Sequence, residues 1–222
     1  MPGRLPKWVE VGALLLALVA GYVNAIGLLS FEHQSVSHVS GTATLLGADI
    51  FQSSWASVLH LSGVLLSFLA GATLAGILLD NASLKLGRHY DTALLIEGVL
   101  LIIAQVLLNE GLFYAHFIAS AACGLQNALA TRYSGAVVRT THLTGIFTDL
   151  GIMLGAMVRG ETLDTRKLQL FLVIIVGFVF GGTAGAIGFN FLPRIALILP
   201  AIVCLILAVS YYLFAKQNRA GS

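Results

Sequence analysis

Apolar residues in this chain come in long blocks, with the polar residues gathered between them. The first block runs from Trp8 to about Ser30, long enough for a bilayer-crossing helix of about 20 residues. A polar stretch, Glu32 to Ser40, leads into a short apolar piece, Gly41 to Phe51. At 1.5 Å per residue that piece reaches roughly 16 Å, half a bilayer. Trp55 to Leu79 is full length again, and a loop with Asp80, Lys85, Arg88 and Asp91 separates it from a shorter span, Thr92 to Leu108. After a tight turn at Asn109-Glu110-Gly111 the plan starts over: Leu112 to Ala130, Thr140 to Val158, Leu168 to Phe191 and Ile195 to Phe214.

The second pass repeats the first in detail. His38-Val39-Ser40-Gly41-Thr42-Ala43-Thr44-Leu45-Leu46-Gly47 matches His142-Leu143-Thr144-Gly145-Ile146-Phe147-Thr148-Asp149-Leu150-Gly151 as His, apolar, hydroxyl, Gly, two residues, Thr, two residues, Gly. Each copy follows a glycine and an Asn-Ala pair, Gly21 with Asn24-Ala25 and Gly124 with Asn127-Ala128. Further on, Phe68-Leu69-Ala70-Gly71-Ala72-Thr73 lines up with Phe178-Val179-Phe180-Gly181-Gly182-Thr183. Two motifs in one order indicate an internal duplication, with halves at 1–109 and 110–222. Neither half alone would bury its polar motif, so the chain reads as a single membrane domain, residues 1–222.

Composition settles the solvent. The chain is 58% hydrophobic and 10% charged, with a mean hydropathy of +0.92, whereas soluble domains carry roughly a quarter charged residues. The reading is an all-α, polytopic membrane protein. The net charge of +2 offers no basic face for phosphates, which argues against nucleic acid as a partner. Cys123 and Cys204 sit in apolar runs and read as packing residues, with no spacing that suggests a metal, a disulfide or a cofactor. The N-terminus imitates a secretory signal, with Arg4 and Lys7 before an apolar run and Val23-Asn24-Ala25 as a cleavage-like site. The repeat partner of Asn24-Ala25 argues for keeping that run as the first span.

Charge also bears on topology. If the two motif segments do not cross, each half has three spans and 11 of the 12 Lys and Arg residues share the side of both termini. If all eight segments cross, 7 of the 12 do. The positive-inside rule favours the first arrangement, with both termini cytoplasmic in a bacterial inner membrane. Three crossings per half invert the second half, giving about six spanning helices as two inverted three-helix repeats. Each repeat then carries a short re-entrant or broken helix: an extended lead-in (Val36 to Ser40, Val137 to Thr141) and a half-helix beginning near Gly41 or Gly145. A kinked full span is the competing geometry.

Helix N-termini that meet at the midplane bring free N–H groups and positive dipole ends, suited to a small polar or anionic solute. Polar side chains at that depth are costly and are functional candidates by default. The candidate substrate-binding residues are Asn24, His38, Ser40, Thr42, Asn127, Arg139, Thr141, His142, Thr144 and Asp149. Several have plainer readings. The histidines can be interior hydrogen-bonding groups, Asn24 and Asn127 can tie helices together, and Arg139 can be an interfacial charge. Asp149, within helix reach of Arg139 and His142, reads as an ion-pair member, a proton acceptor or a counter-ion. Glu97, six residues into its span, is a possible proton site. The sets Gly71/Ala75, Gly177/Gly181 and Gly181/Gly185 read as close helix packing. Trp8, Trp55, Tyr211 and Tyr212 read as interface anchors.

Gly21-Tyr22-Val23-Asn24-Ala25-Ile26-Gly27, Ser37-His38-Val39-Ser40-Gly41-Thr42, Gly124-Leu125-Gln126-Asn127-Ala128 and Val138-Arg139-Thr140-Thr141-His142-Leu143-Thr144-Gly145 resemble the YoaK-like family of bacterial membrane proteins. That resemblance implies about six spans and supplies no substrate. The leading expectation is a small-solute transporter or channel, not an enzyme, with a polar path between the halves. It lies in a lipid bilayer, with homo-oligomers possible. A membrane scaffold or sensor is the alternative, followed by an intramembrane enzyme using His142 and Asp149, which no catalytic motif supports.

Overall fold

Each apolar block forms a helix in the computed structural model, which describes residues 7–30, 34–52, 54–79, 89–133 and 140–220. The elements are α1 (Lys7–Ser30), α2 (Val39–Phe51), α3 (Trp55–Leu78), α4 (Tyr90–Asn109), α5 (Tyr114–Tyr133), α6 (Leu143–Val158), α7 (Thr165–Phe191), a 3-10 turn (Pro193–Ile195) and α8 (Ile198–Ala220). No strand occurs among the described residues. Five helices, α1, α3, α4, α7 and α8, are long and apolar enough to cross a bilayer. α5 has 20 residues but a more polar sequence, and it buries Ala115, His116, Ala119, Ser120 and the run Ala122 to Gln126 at the centre. Two of its polar side chains are bonded inward: Ser120 donates to the Val64 carbonyl at 3.0 Å and Gln126 to the Leu16 carbonyl at 2.9 Å.

Packing crosses between the halves. α1 packs mainly on α7, and α3 on α5. In the first pair, Gly177 meets Leu14 and Ala17, Gly181 meets Leu18 and Gly185 meets Tyr22. Partner numbers rise together, so α1 and α7 run parallel. α3 and α5 also run parallel, since Gly63 meets Phe117, whereas further along Phe68 meets Gly124. α4 and α8 run antiparallel: Tyr90 stacks near Tyr211, Gly98 packs on Leu205, and Gln105 accepts from the Leu197 N–H.

Glycine is required at these crossings because backbone touches backbone. A Cβ on residue 181 would stand 2.1 Å from the Leu18 carbonyl oxygen, and one on residue 71 would stand 1.9 Å from that of Ala121. The reverse contacts match, with Gly21 against the Phe178 carbonyl and Gly124 against the Phe68 carbonyl, each 2.0 Å from a Cβ. Small residues permit such approach where apolar burial gives helices no preference for each other over lipid. Two apolar clusters fill the bundle, one around Leu125, Phe171 and Ile174, the other around Ile26, Leu101 and Leu197. Both cysteines are buried and free.

The turns follow their residues. Gly111 (φ 69°) and Gly160 (φ 85°) turn the chain after α4 and α6, and Asp164 caps α7 by accepting from the Lys167 N–H at 3.1 Å. At the far end of α4, buried Gln105 donates to Asn109 and to the Pro193 carbonyl and holds the 3-10 turn in place.

Candidate functional site

The two motif copies adopt the same local structure. His38 and His142 are the N-cap residues of α2 and α6, with φ/ψ of −86°/66° and −96°/57°. The half-helices therefore begin at Val39 and Leu143, two residues earlier than the expected starts near Gly41 and Gly145. In each copy the imidazole folds back over the glycine three residues on. A Cβ on residue 41 would lie 2.7 Å from His38 Nδ1, and one on residue 145 would lie 2.4 Å from His142 Nδ1. The glycine in the repeated pattern makes room for the ring.

The lead-in to α2 is fixed by Asn24 on α1. Its Oδ1 accepts from the Ser35 hydroxyl, from the Ser37 hydroxyl at 3.0 Å and from the Ser37 N–H at 3.3 Å. The Ser35 hydroxyl oxygen accepts in turn from the His38 N–H at 3.1 Å. Asn127, the matching residue on α5, differs: its side-chain oxygen is buried without a partner among the described residues, as is the Thr140 hydroxyl.

The copies converge on one cavity of about 590 Å³. His38 and Ser40 of the first copy line it together with Thr141, His142 and Thr144 of the second and with Asn127 of α5. Six of the ten candidate residues thus share one wall-to-wall space. Ser37 and Thr131 also line it and carried no repeat signal that would have singled them out.

The other candidates have different placements. Asn24 ties the lead-in, and Thr42 is buried with its hydroxyl on the His38 carbonyl at 3.2 Å. Thr44 and Thr148 likewise bond the carbonyls of Ser40 and Thr144, both at 2.9 Å. Arg139 lies outside the described residues. Asp149 is not among the lining residues, and its carboxylate pairs with Lys167 of α7 at 3.3 Å rather than with His142. A lysine at the start of the next helix was not visible as its partner, because the pairing crosses a turn 18 residues on. Asp49, near the end of α2, accepts from the Ser57 hydroxyl.

Glu97 is 2% exposed on α4, with the Cys204 thiol of α8 as its hydrogen-bonding neighbour and Oε2 unpartnered among the described residues. It does not line the cavity.

A family described as proteins of unknown function, DUF1275, matches residues 12–210 of the chain. The UPF0700 transmembrane protein YoaK of Bacillus subtilis (strain 168) is 30% identical over 145 residues. That stretch is 61% of this chain and 63% of that protein, so the chain spans less than two thirds of its relative. No solved structure matches.

Proposed function

The chain belongs to the DUF1275 family, a multi-pass membrane protein like its relative YoaK, and on that premise we propose that it is a small-solute transporter or channel. The observation that carries this reading is the cavity itself. Both motif histidines, three motif hydroxyls and the unpaired Asn127 oxygen surround it, and the N-termini of two half-length helices open beside it. Such donors and acceptors suit a small polar or anionic solute.

Helix directions support a passage between two inverted halves. Were all eight helices to cross, α4 and α8 would be parallel, because three crossings would separate them. Their antiparallel contact fits a chain in which α6, with 16 residues, stays on its own side. The parallel contact of α1 with α7 then fits an α2 of 13 residues that also returns. At 1.5 Å per residue these helices reach roughly 20 to 24 Å, short of a bilayer core of about 30 Å. We read six crossings in two inverted repeats, an arrangement that would put both termini and 11 of the 12 basic residues on the cytoplasmic face of a bacterial inner membrane. We read the cavity as a passage rather than a catalytic centre, since the carboxylate that would work with His142 holds Lys167 instead. Association of copies belongs to the same reading, because Ser40, Thr44, Thr144 and Thr148 are exposed on half-helices that pack little against the rest.

Thiol labelling tests it. In a chain with Cys123 and Cys204 replaced by alanine, single cysteines at Ser40 and Thr144 are exposed to a membrane-impermeant reagent from each face. The passage predicts labelling of both. A folded protein in which neither reacts overturns it.

A further inference from the structure

One polar pair plays no part in the cavity. His60, in the second turn of α3, and His116, in the first turn of α5, place Nε2 and Nδ1 3.0 Å apart. His116 is fully buried and His60 half-buried, with the rings of Phe113 and Phe117 packed at 6.2 and 5.3 Å from that of His60. A separate cavity of about 190 Å³ opens beside the pair, lined by Ser30, His60, Leu108, Leu112, Phe113 and His116.

Two imidazole nitrogens at hydrogen-bond distance share one hydrogen. Their neighbours assign it. The Ser35 backbone carbonyl acts on the His116 ring as an electrostatic acceptor, which favours the hydrogen on Nε2 and acceptance at Nδ1. His60 then donates from Nε2 and keeps a lone pair on Nδ1. A proton arriving at that lone pair charges the pair without breaking the bond between the rings. A second proton would set two N–H groups against each other across 3.0 Å, so the intact pair takes one. Ser35 connects the pair to the passage, since its hydroxyl holds the His38 N–H and the Asn24 side chain.

We propose that the His60–His116 pair is a proton-binding site whose occupancy is transmitted through Ser35 to His38 at the cavity wall. The proton is then the coupling ion of the passage, a role that rests on the transport reading; the binding of the proton does not. Near the pair stand Asp49, bonded to Ser57 one turn before His60, Glu110 in the α4–α5 turn, Tyr114 packed against Phe113 and Phe117, and His38, whose N–H the Ser35 hydroxyl holds; α4 also carries Asp91 and Glu97, and α5 carries Arg132.

The test is a pH titration, from 4.5 to 8.5, of the full chain in lipid nanodiscs with isotope-labelled histidine rings, followed by NMR. His60 and His116 should titrate with one shared midpoint, and the amide signals of Ser35 to His38 should move with it. In His116→Gln the Ser35 to His38 response should vanish. Should His116→Gln fail to fold, His60→Gln gives the reciprocal reading on His116. Independent midpoints, or lead-in amides that ignore the titration, overturn the proposal. No solute or thiol reagent enters this measurement, so its failure and that of the passage are separate results.

Discussion

His142 lays its imidazole over Gly145 so closely that the two cannot be varied independently. In Gly145→Ala, alanine favours the helix by about 1 kcal/mol, while the new methyl displaces the ring. The net change in stability should be small. The informative quantity is the double-mutant cycle with His142→Ala: thermal unfolding of the four proteins should give a coupling of about 0.5–3 kcal/mol, as for residues in contact. Strict additivity would mean that the ring does not rest on the glycine.

Gly71→Ala and Gly181→Ala should each lower stability by about 1–3 kcal/mol, because a methyl meets a carbonyl that has no rotamer to yield. Gly47→Ala and Gly151→Ala are the controls. Nothing lies within 4 Å of a Cβ at either, so these changes should be neutral or stabilising by up to about 1 kcal/mol. Melting temperatures in one detergent decide it, and the reverse ranking would refute the crossing contacts.

Gln105→Ala should destabilise by about 1–3 kcal/mol, the cost of a buried donor left unpaired. The Leu197 N–H, now 2.7 Å from the amide oxygen, loses its acceptor. Gln105→Glu keeps that acceptor but loses the donor to the Pro193 carbonyl, and should fall between alanine and the parent in chemical denaturation.

Asp149→Asn should change stability by less than about 1 kcal/mol, as expected for a partly exposed pair. It should also leave labelling of a cysteine at Thr144 unchanged. Loss of labelling would restore Asp149 to the passage.

The blocks were legible in the sequence because helix length and hydropathy are local properties. Trp55 to Leu79 and Gly41 to Phe51 needed no knowledge of their neighbours, and α3 and α2 match them closely. The glycines of the Phe68 to Thr73 and Phe178 to Thr183 stretches announced close packing, yet nothing in either stretch names its partner helix. The repeated His and Gly were readable as a motif, but the ring-over-glycine fold depends on the torsions at His38 and His142. His60 and His116 carry no sequence signal as a pair: they stand 56 residues apart, and neither belongs to the repeat. Asn24 and Asn127 looked equivalent, and only the serines at 35 and 37 make one of them satisfied.

The exchange of partners between halves bears on how the protein is made. α7 begins about 135 residues after α1 ends, and synthesis at roughly 5–20 residues per second puts roughly 7 to 27 s between them. During that interval Gly21 and its neighbours face lipid or a chaperone, with their complementary surface still inside the ribosome. α3 meets α5 much sooner, after one hairpin. Assembly therefore has a built-in order, in which the α3–α5 pair closes first, α1 is captured when α7 arrives, and α8 closes on α4 last. A ribosome stalled before α7 would leave α1 to α6 in the membrane with no docking surface for the opening helix, the form that quality-control proteases should recognise.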